Sequence, residues 1–468
     1  MGNDLAMLMM HDETGRAPLA GPTVGVVGAG AAGILTAVNL LVRAELQGEP
    51  CTVLLIDPAV GEAPGPAYRT TDSRHVLNTP AGRMGITPRD FPDWLSARGH
   101  QDVHGYPARR LYGRYLLDLL ADTAARSSTA GLRAVPDRIT GIGMEPGGGV
   151  LALYGASGRT LCADAVVLAV GGLPPGRSWA PANLRSSPCF VPDPWAPGAL
   201  DRVAAAGDDL LLVGTGLTMV DVALALARPG RVLHAVSRHG LLPQSHTTRP
   251  APPVAPPGLD GPDTLDALRR AVLRHVAATR RIHGDWRPAL DGLRPVTADL
   301  WQRLNPADQD RFLSEDLRVW ETHRHRLAPA SAAALQELRG EGLLEVSAGE
   351  VVRSDPDGAG VRVGLRDGRE LRVGAVVNCT GPQTSVAASG DPLLTDLLAR
   401  GLARPGPCGI GLDTGPDGRL RPAETQTVPG AARVWALGAL RRGNLFETTA
   451  VPEIKAQAAA VARAVLEL

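Results

Sequence analysis

Apolar residues in this chain fall in short runs, each closed by glycine, proline or a charged residue. Thr23-Val-Gly-Val-Val27 reads as a buried strand, Ala31 to Arg43 as an Ala-rich helix, and Cys51-Thr-Val-Leu-Leu-Ile-Asp57 as a second strand. Runs this short, rich in β-branched residues and punctuated by glycine, favour strands over helix segments. Together they predict a β-α-β opening. A second such unit is predicted at Leu210–Val213, a helix over 217–227 and Val232–Val236. Between the two, Leu111 to Ala125 has helical spacing, and β-rich pieces occupy 132–135, 139–143, 150–154 and 160–163. Ala165–Val170 is a buried strand ending at Gly171-Gly172. Further strands are expected at 343–352, 361–365, 370–379 and Val434–Leu437, with a closing helix over 451–467. Residues 1–21 read as a loose arm, 61–90 as a structured loop, and 173–198 and 249–262 as Pro-rich crossings. From 263 to about 340 the pattern is helical and carries Trp286, Trp301 and Trp320.

The two β-α-β units share a glycine-rich turn. In Gly28-Ala-Gly30-Ala-Ala-Gly33, Gly28 permits a tight turn, Gly30 lets a pyrophosphate approach the backbone, and Gly33 lets helix and strand pack closely. The N–H groups at the helix start then face the phosphates. Asp57, ending the next strand, is the acid that can bond ribose hydroxyls, a little beyond the usual ~20-residue spacing. The second turn, Gly214-Thr-Gly216-Leu-Thr218-Met219, lacks the third glycine. Its following strand ends in Ser237-Arg238-His239, where a basic residue suits a 2′-phosphate and so favours NADPH over NADH. Two turns suggest two dinucleotides. Ala163-Asp-Ala-Val-Val-Leu-Ala-Val-Gly171 and Gly374-Ala-Val-Val-Asn-Cys-Thr-Gly381 look like the paired crossover strands of flavoproteins that bind FAD and a nicotinamide cofactor.

The expectation is therefore an α/β fold of two Rossmann-like dinucleotide-binding domains. Residues 22–200 form the first part of the FAD domain. Residues 201–379 form an inserted NAD(P)H domain with its own helical insert 263–340, and 380–468 complete the FAD domain.

Composition narrows the class. The chain has 468 residues, with 48 basic and 48 acidic side chains, which argues against a general nucleic-acid or anionic-membrane binder. Lys455 is the only lysine, which reads as a GC-rich coding bias. The five cysteines include no C-x-x-C pair, so a disulfide framework, a zinc ribbon and a dithiol-type flavin reductase are all disfavoured. No metal-ligand cluster or nucleophile triad stands out. No run of ~18 apolar residues occurs, so neither a membrane span nor a secretory leader is expected and a cytoplasmic protein is the default. Aromatics are only 3% of residues, while 55 glycines and 40 prolines are well above average.

Several segments carry a family likeness. These are Gly65-Pro-Ala-Tyr68, His75-Val-Leu-Asn-Thr-Pro-Ala-Gly-Arg-Met84, Tyr106-Pro-Ala-Arg-Arg-Leu-Tyr-Gly-Arg-Tyr115 and Ser237-Arg-His-Gly-Leu-Leu-Pro-Gln-Ser-His246, followed by Asp285-Trp-Arg287, Trp320-Glu-Thr-His-Arg-His-Arg326 and Arg442-Gly-Asn-Leu-Phe-Glu-Thr-Thr-Ala-Val-Pro-Glu-Ile454. Over about 22–465 the chain resembles a bacterial FAD/NAD(P)-binding family typified by YdhS and related to flavin-dependent N-hydroxylating monooxygenases. The Baeyer–Villiger pattern F-x-G-x-x-x-H-x-x-x-W is absent, so ketone oxygenation is less favoured.

The resemblance implies an NADPH-consuming flavoenzyme that uses O2 to oxygenate a nitrogen or sulfur of a small polar substrate. A flavin dehydrogenase without oxygen transfer, or a non-catalytic cofactor-binding scaffold, are the alternatives. It places loop 75–84 against the flavin, with Asn78 at the ring edge and Arg83 toward phosphate or substrate, and Gly171, Gly381, Gly438, Thr448 and Thr449 also near cofactor. The last helix would aim its N-terminus at the flavin. His323 and Arg326, on a helix end that otherwise reads as a solvated cationic C-terminus, and Arg287 are candidates for NADPH or substrate contact. The helical insert is the candidate substrate cap, and His246 reads as structural.

Overall fold

A computed structural model describes residues 21–62, 64–87, 89–145, 149–205, 207–259, 261, 263–423 and 433–468. The N-terminal arm read from the sequence lies outside them. The chain forms two compact units. Unit 1 holds the described residues up to Thr71, Pro80–Leu173 and Thr384–Leu468; unit 2 holds Asp72–Thr79 and Pro174–Gln383.

Unit 1 is built on a five-stranded parallel sheet in the order Val434–Ala436, Ala165–Leu168, Thr23–Val27, Cys51–Ile56 and Ala130–Val135. The strands are nearly continuous apolar runs because both faces are covered. Helices Ala31–Gln47, Arg109–Arg126 and Val451–Leu466 pack together on one side. On the other lies an antiparallel sheet of Ile139–Met144, Leu151–Gly155 and Thr160–Ala163. There Ile142, Leu151 and Leu153 join Val27, Ile56, Val166 and Leu168 in one core with Leu393, Leu394 and Leu397 of helix Pro392–Ala399.

Unit 2 repeats the plan. Its parallel sheet runs Leu344–Ala348, Leu233–Ser237, Leu210–Val213, Ala375–Asn378 and Phe190–Val191. An antiparallel sheet of Val351–Asp357, Gly360–Leu365 and Glu370–Val373 again interrupts the parallel series, here between Leu344–Ala348 and Ala375–Asn378. The fifth, edge strand comes from the C-terminal part of the chain in unit 1 and from the segment before the domain in unit 2. One apolar cluster joins the sheet to helix Leu217–Leu226 and helix Pro329–Gly340, and another joins its opposite face to Val361, Val363 and Leu365.

Three expectations change. The run read as one strand over 343–352 is two strands in two sheets, and so is 370–379, where Gly374 turns the chain between them. The linker 173–198 contributes the edge strand Phe190–Val191, paired with Val376 and Val377, so the division between units falls at 173/174 rather than at 200/201. The return falls at 383/384 because Pro382 bridges to Pro175 and Gln383 N–H donates to Pro174 O within unit 2. Finally, the helical insert is shorter than 263–340. Leu335 of helix Pro329–Gly340 packs with Leu210, Leu233 and Leu344, so that helix is part of the dinucleotide fold. The insert proper begins at helix Leu265–His283 and has its own core around Ala271, Leu290, Leu293 and Leu300, with Trp286 and Trp320 against it.

The first turn sets a sharp stability test. A β-carbon on Gly33 would fall 1.8 Å from the Gly28 carbonyl oxygen. Backbone cannot yield as a side-chain tip can, so Gly33→Ala should cost roughly 3 kcal/mol or more. Chemical denaturation of the cofactor-free protein checks this, and a change below about 1 kcal/mol would contradict the packing described.

Candidate functional site

In unit 1 the turn after the first strand is fixed by backbone contacts. Gly28 has φ +106°, and its N–H donates to Ile56 O at 2.8 Å. A β-carbon there would lie 2.4 Å from Ala169 O, at the end of the fourth strand. Gly30 differs. Its φ of −69° suits any residue, yet a β-carbon would meet nothing within 4 Å. What Gly30 leaves open is space for something to approach the backbone. Helix Ala31–Gln47 starts there without a side-chain cap and without an acid in its first turn. Its first N–H groups and positive dipole end are thus available to an anion.

Asp57 braces this turn: its carboxylate accepts from Ala29 N–H at 3.0 Å and Ala59 N–H at 2.8 Å. A carboxylate retains lone pairs for ribose hydroxyls after two such bonds. An apolar pocket lined by Ala29, Ile34, Leu55, Val60, Gly61, Leu132 and Ala134, among others, borders the same turn.

The C-terminal return adds a second feature to unit 1. Gly438 has φ +68°, and its N–H donates to Gln457 Oε1 at 3.0 Å. Helix Val451–Leu466 starts without a side-chain cap, with a proline in its first turn. Just before it, Thr448 is 1% exposed and its hydroxyl has no hydrogen-bond partner among the described residues. Such an orphan is uncommon and marks a place for a polar ligand atom. Thr449 is exposed. The preceding Phe446 holds φ +64°, a costly value for a bulky residue, with Glu447 N–H closing a tight turn onto Leu445 O at 2.8 Å. Lys455 donates to Gly85 O.

Unit 2 reproduces the turn. Gly214 also has φ +106°, its N–H donates to Val236 O at 2.7 Å, and a β-carbon would lie 2.4 Å from Cys379 O. Gly216 leaves the open space that Gly30 leaves; the nearest atom to its β-carbon position is Arg318 Nη1 at 3.9 Å. Helix Leu217–Leu226 is uncapped by side chains, with no acid in its first turn and with Thr218 partly buried there. Met219, fully buried, holds the place of Gly33. The glycines after the two crossover strands match as well: Gly171 at φ +75° and Gly381 at φ +83°, both facing open space.

The rim of the second turn is polar and basic. Thr215 Oγ lies 2.8 Å from Ser237 Oγ and donates to Leu241 O at 2.6 Å. Arg238 is exposed. Arg318, from the helical insert, donates through Nη2 to Thr215 O at 3.2 Å and Leu241 O at 2.6 Å. Sequence reasoning missed Arg318, because it lies far down the chain and just outside the segment 320–326 that starts in the same helix.

The other expected residues separate. Asn78 belongs to unit 2, where its side chain is exposed and its carbonyl accepts from His246 Nε2 at 3.0 Å. Arg83 belongs to unit 1, exposed on the turn Ala81–Arg83. The loop 75–84 is therefore divided between the units, at 79/80. Arg326 is 2% exposed and paired with Asp291 inside the insert, so it is no solvated helix end. Burial pulls its guanidinium pKa down and Asp291 opposes that. Arg287 donates to Ser245 O at 2.8 Å and to Asp285 at 3.0 Å, and its guanidinium lies over Trp286. His323 packs edge-on to the same Trp286 and lies 2.8 Å from Val319 O through Nδ1. These three form one packed cluster. No helix among the described residues is long and apolar enough to cross a membrane.

Comparison with known proteins follows this geometry. Residues 25–173 match a family described as FAD-NAD(P)-binding. No curated protein matches the chain. Among solved structures it is similar to an L-lysine 6-monooxygenase from Pseudomonas syringae, at 18% identity, TM-score 0.62, covering 95% of this chain and 99% of that one. It is also similar to DfoA from Erwinia amylovora, a cadaverine monooxygenase of desferrioxamine biosynthesis solved with FAD, at 13% identity, TM-score 0.63, covering 95% and 94%. A third is the lysine monooxygenase NbtG from Nocardia farcinica, at 16% identity, TM-score 0.54, covering 93% and 99%. At these identities the likeness establishes the fold: two Rossmann-like dinucleotide-binding domains with a helical insertion.

The contrast between Gly30 and Gly33 gives a prediction. Gly30→Ala should leave the unfolding midpoint of the cofactor-free protein within about 2 °C, since nothing is displaced. It should lower dinucleotide retention by unit 1 at least about tenfold, because a methyl group takes the space a pyrophosphate needs. Unchanged retention on purification would contradict the cradle.

Proposed function

We propose that this chain is an FAD- and NADPH-dependent monooxygenase that oxygenates the nitrogen of a small polar amine or amino acid, with FAD on unit 1 and NADPH on unit 2. One observation carries the reading. The same phosphate-cradling turn occurs twice, with equal φ values at Gly28 and Gly214 and equal backbone approaches, and Arg318 reaches the second. An acid at the first strand end and a basic residue at the second is the pattern of a ribose contact and of a 2′-phosphate contact, respectively.

In unit 1, Gly28, Gly30 and Gly33 receive the FAD pyrophosphate and Asp57 the ribose. The N-terminus of helix Val451–Leu466, with Gly171, Gly438, Thr448 and Thr449, serves the flavin ring. The unpartnered Thr448 hydroxyl suits a polar ring atom, and the helix dipole favours negative charge there. Asn78 and Arg83 remain flavin-side candidates on the separate segments described above. In unit 2, Gly214, Gly216, Thr218 and Gly381 line the nicotinamide dinucleotide, with Ser237 and Arg238 toward the 2′-phosphate. When bound, FAD would supply the redox chemistry, hydride acceptance and O2 activation, so the chain's own task is positioning and electrostatics.

The substrate class draws support from the solved relatives, named for action on lysine or cadaverine. The segments that resemble the YdhS-typified family support the same class without fixing one substrate. The Trp286 cluster with His323, Arg287 and Arg326 shapes the insert that would cover it.

Oxygen consumption, NADPH oxidation and hydroxylamine formation, followed together across amino acids and diamines, test the reading. The expected outcome is one substrate that raises NADPH oxidation and yields hydroxylated amine in near-equal amount. Hydrogen peroxide alone with every amine would contradict oxygenation and leave a flavin oxidase or dehydrogenase.

A further inference from the structure

The second glycine turn holds more positive charge than its fold requires. Arg318 reaches it from helix Leu317–Arg324 of the insert, and Nη2 is anchored on Thr215 O, Thr215 Oγ and Leu241 O. Nη1 points toward the open space over Gly216, 3.9 Å from where a β-carbon would stand. Arg238 is close enough to act on it as a like charge. Burial and Arg238 both hold the Arg318 guanidinium below its ordinary range, and only Glu321, at 3.9 Å, opposes them. The N-terminus of the ten-residue helix Leu217–Leu226 adds a positive dipole end at the same place. The Arg318 guanidinium and a helix start meet at one open backbone position, with Arg238 as a further like charge on Arg318, and an anion there relieves the repulsion.

We infer that Arg318 is a pyrophosphate-binding residue for NADPH, contributed by the helical insert, while Arg238 serves the 2′-phosphate. The inference rests on the proposed assignment of NADPH to unit 2. The anchoring supports it: with Nη2 held on two carbonyls, the planar fork presents Nη1 toward Gly216 at little entropic cost. Gly216 is also the glycine at which a pyrophosphate meets the backbone. The insert that packs Trp286 and Trp320 thereby becomes part of the cofactor site, and dinucleotide binding ties it to the turn.

Calorimetric titration of the FAD-loaded protein with NADP+ and, separately, NAD+ tests this without turnover. Arg318→Gln can keep a hydrogen bond to Leu241 O but loses the charge; Arg318→Lys keeps the charge and loses the fork. Arg318→Gln should weaken NADP+ and NAD+ by a similar factor, roughly 10- to 100-fold, and Arg318→Lys should weaken both less. Arg238→Gln should weaken NADP+ alone. Wild-type affinity in Arg318→Gln would overturn the inference. So would a loss confined to NADP+, or an Arg318→Lys variant no better than Arg318→Gln, which would mark a tether rather than a phosphate contact. Should a variant not fold, Glu321→Gln gives an independent reading: removing the opposing carboxylate should tighten both dinucleotides, and weaker or unchanged binding counts against the role. If the wild-type protein binds neither dinucleotide, the assignment of unit 2 fails, an outcome distinct from any variant result.

Discussion

Two backbone approaches, each too close for any side chain, govern this molecule. Gly28 meets the carbonyl of Ala169, and Gly214 meets that of Cys379, both at 2.4 Å from a notional β-carbon. Each locks the end of the crossover strand beside the start of a helix. The amide groups of Ala169 and Cys379 close the arrangement by donating to Val27 O and Val213 O at 2.8 and 2.7 Å. Because strand end and helix start are held together, the open spaces at Gly30 and Gly216 and the left-handed Gly171 and Gly381 fall at corresponding places in both units. Sheet order, the antiparallel layer and the returning edge strand then build around that contact.

The duplication is unequal, and the difference is informative. Gly33 lets the first helix press against the turn and continue to Gln47. The matching Met219 fills the core under the second turn instead, and that helix ends at Leu226. Around the first turn the polar work is done by one acid, Asp57, and by backbone amides. Around the second it is done by hydroxyls and by Arg318, from outside the β-α-β unit, with Arg238 at its margin. One turn geometry thus carries two different polar surroundings.

Much of this was legible in the sequence because it depends on local rules. A glycine forced to φ +106° must be glycine, and an apolar run between such turns must be a buried strand. Both β-α-β units, the crossover strands and the closing helix follow from that. What local pattern could not show was sheet membership: Gly374 and the Gly349-Glu350 step move the chain from one sheet to another without breaking apolar character. It could not show that Asn78 and Arg83, five residues apart in the chain, belong to different units. Nor could it show whether an arginine in a helix is spent on a neighbour. Arg326 is buried on Asp291, whereas Arg318, eight residues earlier, stands at the second turn. Those distinctions arise from tertiary packing, which has no period along the chain.

The central claim is that the two turns hold an electron-accepting and an electron-donating dinucleotide in one chain. Anaerobic mixing of the FAD-loaded protein with NADPH in a stopped-flow spectrometer tests it most directly. The account predicts rapid loss of the flavin's visible absorbance, faster and at lower concentration with NADPH than with NADH. A protein that takes up no FAD, or whose bound flavin stays oxidised under saturating NADPH, would contradict it.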